Sequence, residues 1–308
     1  MSEPAPPAIE LRGASRWYGN VVAVNDVSFD VGPGVTGLLG PNGAGKSTIL
    51  HMAAGFLRPS AGEVRILGEP AWRNPRIYRR LGLVPEREAV YGFLTGREFV
   101  ELAARLHRLP DPAAAAERAI ALVGMEAAAS RPCGTYSKGM KQRIKIAAAL
   151  VHDPQVLILD EPFNGADPRQ RLHLMDLFRQ MAAEGRAILY SSHILEEVER
   201  LADTVLVIVA GRLAASGDYR QIRALMTDRP HAFTVRSSDD RALAARLLAE
   251  PAISGIAFED GRLEVRASGL LAAARALPAA AREAGVTLYE VRPTDESLES
   301  VFSYLVRR

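Results

Sequence analysis

Short, mostly apolar runs recur along the first two thirds of the chain. Runs of this length without an alternating pattern suit strands that are buried on both faces of a parallel sheet. The clearest are Val35–Leu39, Val156–Leu159, Ala187–Tyr190 and Thr204–Val209. Nearer the N-terminus, turn-forming residues separate shorter β-rich runs, which predict further strands at Val21–Val24, Val27–Val31 and Glu63–Leu67.

Helix signals stand between these predicted strands. Thr95–Glu98 fits a capping box, in which two side chains satisfy free backbone N–H groups at the start of a helix. Asp111-Pro112 and Asp167-Pro168 each place an N-cap residue before a proline at the first helical position. Gly124 and Gly185 are typical of the helix ends that follow. Strands alternating with helices predict an α/β fold.

The pattern starts afresh after about Met226 and divides the chain. Residues 1–8 predict a disordered tail, residues 9–226 a first domain and residues 227–308 a smaller second one. The second domain is predicted to run βαββαβ, the split βαβ order of a ferredoxin-like domain, followed by one more helix. Its predicted elements are Ala232–Arg236, Asp240–Ala249, Ile253–Phe258, Leu263–Val265, Leu270–Ala284, Val286–Val291 and Glu296–Val306, with a hairpin turn at Asp260-Gly261.

The composition bounds the class of protein but not its task. The 308 residues include 38 Lys+Arg and 36 Asp+Glu, a formal net charge of +2, which gives no reason to expect a nucleic-acid partner. The single cysteine, Cys133, can form no intrachain disulfide and indicates a reducing compartment. No apolar run approaches the roughly 18 residues that span a bilayer, and the N-terminus lacks the pattern of a secretory signal. We therefore expect a cytosolic chain.

A glycine-rich segment between a predicted strand and a predicted helix carries the first chemical signal. It matches the phosphate-binding pattern G-x-x-x-x-G-K-[ST] in the required strand–loop–helix context. Its glycines let backbone N–H groups turn inward around a phosphate, the lysine supplies a positive charge, and the first hydroxyl can bind Mg²⁺. The segment is Gly40, Pro41, Asn42, Gly43, Ala44, Gly45, Lys46, Ser47 and Thr48.

Two carboxylates follow the apolar run Val156–Leu159. Asp160 and Glu161 stand where a parallel strand ends, which is where doubly wound sheets bind their ligands. Asp160 is predicted to hold Mg²⁺, and Glu161 to orient and polarise the attacking water. Beside a phosphate-binding loop, these roles outweigh a solvated pair of acids at a strand end.

The segment from Thr135 to Arg143 reads TYSKGMKQR and directly precedes a predicted helix. It resembles the signature motif of ATP-binding cassette (ABC) ATPases, and the resemblance extends over about residues 9–224 with the motifs in the family's order. The resemblance implies a P-loop NTPase fold with a mixed core sheet, an antiparallel β subdomain and a helical subdomain at about residues 87–155. It also implies that ATP and Mg²⁺ are the cofactors.

The resemblance assigns further roles residue by residue. Tyr18 would stack on adenine, Ser137, Lys138, Gly139 and Met140 would meet the γ-phosphate held by a second subunit, and Asp167 would belong to the loop that crosses the dimer interface. His193 would sense the γ-phosphate beside Glu161 and Lys46, the other residues expected in catalysis.

Three motifs differ from the usual family pattern. Glu86 stands where a glutamine is common, and we expect it to join Ser47 and Asp160 around Mg²⁺ while adding negative charge. Lys138 brings a cation into the signature, and the interface loop reads Asn-Gly-Ala-Asp. Signatures of this kind are similar to those of cassettes that pair with drug, antibiotic and lipid export permeases.

The expected function is an ATPase subunit of an exporter. Two copies would close around two ATP molecules and drive a separately encoded permease, docked near Glu86–Leu94, from the cytoplasmic face of the membrane. An importer ATPase and a non-transport ABC ATPase acting on ribosomes or DNA remain alternatives. The second domain is predicted to dimerise or regulate through an apolar helix face, which could equally pack within its own domain: Leu298, Val301, Phe302 and Leu305.

Overall fold

The computed structural model describes residues 7–87, 90–219, 221–222, 230–259, 262–294, 298–299 and 302. The chain divides into two compact units, Met1–Gly217 and Asp218–Arg308. The predicted boundary at Met226, the predicted turn at Asp260-Gly261, most of the tail and most of the last predicted helix lie outside the described residues.

The first unit alternates strands with helices, as the apolar runs predict. Its strands are β1 (Ile9–Tyr18), β2 (Val21–Val31), β3 (Gly34–Leu39), β4 (Ala61–Ile66), β5 (Glu69–Pro70), β6 (Leu81–Val84), β7 (Val156–Asp160), β8 (Ala187–Ser192), β9 (Thr204–Val209) and β10 (Arg212–Gly217). Its helices of seven or more residues are α1 (Lys46–Ala53), α2 (Gly96–Leu106), α3 (Pro112–Leu122), α4 (Lys138–Leu150), α5 (Pro168–Ala183) and α6 (Leu195–Leu201).

A six-stranded sheet in the order β10-β9-β3-β8-β7-β6 forms the centre of the unit. All neighbours pair in parallel except β10 and β9. Every residue of β7 and β8 is buried, which explains why both read as continuous apolar runs. Because β3, β7 and β8 are parallel neighbours, the segments that follow them emerge at one edge of the sheet.

An antiparallel sheet in the order β2-β1-β4-β5 lies beside this core. One buried apolar cluster joins its strands to α1 and the central sheet, through residues such as Leu11, Phe29, Ile49 and Ile158. The prediction of two strands at Val21–Val24 and Val27–Val31 is wrong, since β2 runs through both. Asp26 interrupts the register instead: it adopts a left-handed backbone with φ 54°, which Asp tolerates, and its N–H donates to Ser15.

The α-helices α2, α3 and α4 lie in the segment between β6 and β7. The capping box of α2 forms as predicted, with Thr95 Oγ1 accepting from the Glu98 N–H and the Glu98 carboxylate accepting from the Thr95 N–H. Asp111 caps α3 with a single bond, in which its Oδ1 accepts from the Ala114 N–H at 3.0 Å. Helices α2, α3 and α4 pack on one another, and α4 carries the signature residues at its N-terminus.

Within the described residues, the second unit contains a four-stranded antiparallel sheet and two helices of seven or more residues. Its elements are β11 (His231–Ser237), α7 (Asp240–Leu247), β12 (Ile253–Glu259), β13 (Arg262–Ala267), α8 (Leu270–Ala284) and β14 (Leu288–Pro293). The sheet order β12-β13-β11-β14 matches the predicted split βαβ arrangement. Both helices contribute to its buried core, and Leu298 is fully buried. Val301 and Leu305 lie outside the described residues.

Candidate active site

The glycine-rich loop joins β3 to α1 in a conformation that only glycine tolerates at two positions. Gly45 has φ 102°, and a Cβ there would lie 2.5 Å from the carbonyl oxygen of Ala23. A Cβ at Gly40 would lie 2.4 Å from the carbonyl oxygen of Ile208. Helix α1 begins at Lys46, directly after the loop, so its positive N-terminal end faces the loop. Its first turn holds no acidic residue that would oppose this positive charge. This arrangement suits an anion.

Lys46 is buried against the loop. Its Nζ donates to the carbonyl oxygens of Gly40, at 2.7 Å, and Pro41, at 3.3 Å. Burial lowers the pKa of the Lys46 ammonium, whereas the carboxylates of Glu161, Asp160 and Glu86 act in the opposite direction. These carboxylates favour the charged lysine, which is the form that attracts phosphate.

A cavity of about 390 Å³ opens over the loop. Its lining brings together most of the residues that the sequence predicts for nucleotide and metal. These are Asn42, Gly43, Gly45, Lys46, Ser47, Thr48, Glu86, Asp160 and Glu161, with Ala23 as an addition that the sequence did not indicate. The Ser47 hydroxyl and the carboxylates of Asp160 and Glu86 are hard oxygen donors of the kind Mg²⁺ prefers.

The two carboxylates at the end of β7 differ in setting. Asp160 is buried, and its Oδ1 accepts a 2.5 Å hydrogen bond from the Ser191 hydroxyl. The Ser191 Oγ in turn accepts from the Glu161 N–H at 3.0 Å. Glu161 adopts a left-handed backbone with φ 50°, an unfavourable conformation for a residue with a Cβ. One hydroxyl therefore ties both acidic residues to β8.

His193 lies directly against the Glu161 carboxylate. Its Nδ1 is 2.9 Å from each carboxylate oxygen, and its ring is about half exposed. The sequence predicts His193 near the γ-phosphate, and the geometry adds that Nδ1 can fix the orientation of the Glu161 carboxylate.

The signature residues stand away from this cavity, at the start of α4. Ser137 and Lys138 are exposed, and the Ser137 hydroxyl accepts from the Met140 N–H at 3.3 Å. Gly139 is buried against the interface loop, since a Cβ there would lie 2.5 Å from the carbonyl oxygen of Gly165. Asp167 ends that loop and caps α5 through the Gln170 N–H at 2.8 Å.

Tyr18 also lies outside the cavity lining. It ends β1, is 47% exposed and has the Arg16 guanidinium 4.9 Å from its ring centroid. A half-exposed ring at this position is free on one side to stack with a planar group.

Sequence reasoning missed two buried polar residues, Ser191 and Lys145. The register of β7 and β8 pairs Ser191 with Asp160. The sequence signal for Ser191 is that a polar residue stands at the end of an apolar run, as Asp160 does. Lys145 of α4 donates to the carbonyl oxygens of Pro85, at 2.8 Å, and Arg87, at 2.9 Å, and thereby holds the backbone around Glu86. A lysine between two buried isoleucines was its signal.

The glycine-rich loop, the strand-end carboxylates and the parallel core sheet define a P-loop nucleotide hydrolase. A family profile described as ABC transporter matches residues 24–164. The chain is 33% identical to the ABC transporter ATP-binding protein YxlF of Bacillus subtilis (strain 168), over 97% of this chain and 99% of that protein. It therefore belongs to the ATP-binding proteins of ABC transporters, and it is an ATP-hydrolysing subunit that binds nucleotide.

The names of two relatives refer to a function. The daunorubicin resistance ATP-binding protein DrrA3 of Streptomyces coeruleorubidus is 33% identical over 98% of this chain and 96% of its own length. The Nod factor export ATP-binding protein I of Rhizobium leguminosarum bv. viciae is 39% identical over 69% of this chain and 70% of its own length. A solved ATP-binding subunit of an ABC transporter superimposes with a TM-score of 0.65 at 33% identity, covering 70% of this chain and 92% of that one.

The parts of the chain described above contain no helix that is both long and apolar enough to cross a membrane.

Proposed function

We propose that this chain powers export through a separately encoded membrane permease, as a homodimer that closes around two ATP molecules with Mg²⁺. The proposal rests above all on Glu161, which lines the loop cavity and has the Nδ1 of His193 against its carboxylate. Two relatives whose names refer to export and to drug resistance favour the outward direction. The chain would work at the cytoplasmic face of the membrane, held there by the permease.

Hydrolysis would take place in the cavity over the loop. Loop N–H groups, the N-terminus of α1 and Lys46 bind the phosphates, while Ser47, Asp160 and Glu86 would hold Mg²⁺. The ion would neutralise charge that develops on the phosphate oxygens. Glu161 accepts a hydrogen bond from the attacking water and polarises it, and His193 keeps the Glu161 carboxylate aimed.

The second half of each site would come from the partner copy. Ser137 and Lys138 are exposed at the N-terminus of α4, where a hydroxyl, an ammonium and free helix N–H groups can meet a phosphate. Contacts that exist only in the closed dimer let ATP shift the equilibrium towards closure, and hydrolysis removes them.

A separate groove suits the permease. A cavity of about 440 Å³ beside β6 and α4 is lined mainly by apolar side chains, among them Phe56, Leu83 and Phe99. Tyr91 and Phe93 belong to the predicted docking segment, which is close in sequence to Pro85 of this cavity. Both side chains are strongly exposed. Pro85 lines this groove and Glu86 lines the nucleotide cavity, so adjacent residues face the two sites.

The decisive experiment replaces Glu161 by Gln. Gln keeps the shape and can still accept from His193, but it loses the charge that polarises water. We expect ATP binding to persist while the ATPase rate falls about 10²- to 10⁴-fold. Glu126→Gln makes the same chemical change at an exposed site in the helical segment and should hydrolyse ATP at the wild-type rate. Near-normal hydrolysis by Glu161→Gln would refute the role of Glu161.

We further propose that residues 227–308 form a dimerisation or regulatory domain. Leu298 is fully buried, which favours packing of at least this position within the protein. If residues 227–308 dimerise or regulate, truncation after about Met226 weakens dimerisation or changes the ATPase rate, measured by light scattering and phosphate release. Unchanged values for both would remove the regulatory role.

A further inference from the structure

Two adjacent serines at the end of β8 point their hydroxyls at different partners. Ser191 and Ser192 both have no exposed surface. Ser191 contacts Asp160 and Glu161, whereas Ser192 donates to the Glu197 carboxylate at 2.7 Å and accepts from the Ile194 N–H at 3.0 Å. Successive side chains of a strand alternate between its faces, which explains the division.

The Ser191 hydroxyl donates to one of the two acidic residues and accepts from the other. It has one hydrogen, which is donated to Asp160 Oδ1 at 2.5 Å, and it accepts the Glu161 N–H at 3.0 Å. The Asp160 bond fixes which carboxylate oxygen stays free for a cation. The Glu161 bond holds a backbone that would otherwise relax from its left-handed conformation.

We propose that Ser191 is a positioning residue for hydrolysis: its hydroxyl holds Asp160 and Glu161 in register with each other. Its side chain is buried and is not part of the cavity lining, so it acts through the two carboxylates. This inference rests on the proposed roles of Asp160 and Glu161. Partners that orient metal-binding and catalytic groups in this way commonly contribute 10- to 100-fold to affinity or activity.

Hydrolysis provides the first test. Ser191→Ala should lower kcat by about 10- to 100-fold and raise the Mg²⁺ concentration needed for half-maximal rate. ATP binding without Mg²⁺ should stay at the wild-type level, because the glycine-rich loop is unchanged. Ser192→Ala is the matched control, since it removes a hydroxyl with the same burial from the next position, and its kcat should fall much less.

A second pair of variants separates the hydroxyl from packing. Ser191→Thr and Ser191→Val have the same shape and crowd the buried site equally, but only Thr keeps the hydroxyl. We expect the kcat of the Thr variant to exceed that of the Val variant by about tenfold or more. Equal rates for these two variants would overturn the proposal.

Amide exchange reports on the hydrogen bond itself in nucleotide-free protein. NMR of protein labelled with ¹⁵N at Glu and Ile should show the Glu161 N–H exchanging roughly 3- to 10-fold faster in Ser191→Ala. Ser192→Ala should instead accelerate the Ile194 N–H. An unchanged Glu161 exchange rate, or a kcat loss in Ser191→Ala no greater than in Ser192→Ala, would overturn the inference. Normal hydrolysis by Glu161→Gln would instead overturn the proposed function, and the exchange result would still stand.

Discussion

Replacing Ser137 can distinguish a role in stabilising helix α4 from a role in ATP hydrolysis. Its hydroxyl caps α4, but the acceptor distance of 3.3 Å from the Met140 N–H is long for such a bond. The stabilisation should lie at the low end of the range for N-caps, about 0.5 kcal/mol. If the same exposed hydroxyl meets a phosphate of the partner's nucleotide, its loss removes a hydrogen bond to a charged group. Such bonds contribute about 1.5–3 kcal/mol, which corresponds to a roughly 10- to 150-fold lower rate.

Ser137→Ala should therefore barely move the urea midpoint and strongly reduce ATP hydrolysis. Thr95→Ala is the opposite control, because it breaks the complete capping box of α2 and should cost about 1 kcal/mol of stability with little effect on the rate. Mixing Ser137→Ala with Lys46→Ala should restore activity, since one site of each mixed dimer would then have an intact loop and an intact signature. A hydrolysis rate within about twofold of wild type for Ser137→Ala, where a lost bond to a charged group predicts far more, would leave Ser137 as a helix cap only.

Two further predictions concern stability. His152 is stacked on His107 with ring centroids 3.7 Å apart, and burial, then the charge of His107, lowers the pKa of His152 to about 4. Between pH 6.5 and 4, His152 binds a proton in the unfolded chain but not in the folded protein. The free energy of unfolding should therefore fall as the pH drops from 6.5 towards 4. His152→Gln should flatten that slope in urea titrations, and an unchanged slope would contradict the assignment. Gly139→Ala should cost about 1–3 kcal/mol, because its Cβ would meet the Gly165 carbonyl oxygen at 2.5 Å; a wild-type urea midpoint would contradict this.

The sequence predicted the helix starts correctly where the capping side chain and the backbone group it contacts are a few residues apart. The capping box at Thr95 and the N-caps at Asp111 and Asp167 depend only on side chains that reach backbone groups two or three positions away. The buried strands β7 and β8 follow from composition alone, since both faces are covered. The path of β2 through Asp26 was missed, because that irregularity depends on Ser15 of the neighbouring strand.

A signal in the sequence can mark a residue as unusual, but it does not identify a partner that is distant in the chain. Lys145 lies on α4 and contacts Pro85, 60 residues earlier in the chain, so only the packing of α4 against the end of β6 creates the contact. A buried lysine breaks the apolar pattern of a helix, and its position is explained by the carbonyl oxygens to which its ammonium donates.

The order of strands in the central sheet explains why the end of β8 matters for chemistry. Strand β8 lies between β3, which leads into the phosphate loop, and β7, which ends in the two acidic residues. The residues that follow its apolar run therefore border both parts of the site: Ser191 holds Asp160 and Glu161, and His193 contacts the Glu161 carboxylate. Because Ser192 turns to the opposite face and joins Glu197 of α6, the same strand end also connects the site to the helix behind it. A displacement of β8 would therefore change both the orientation of Glu161 and the contact with α6, because Ser191 and Ser192 are neighbours on the same strand.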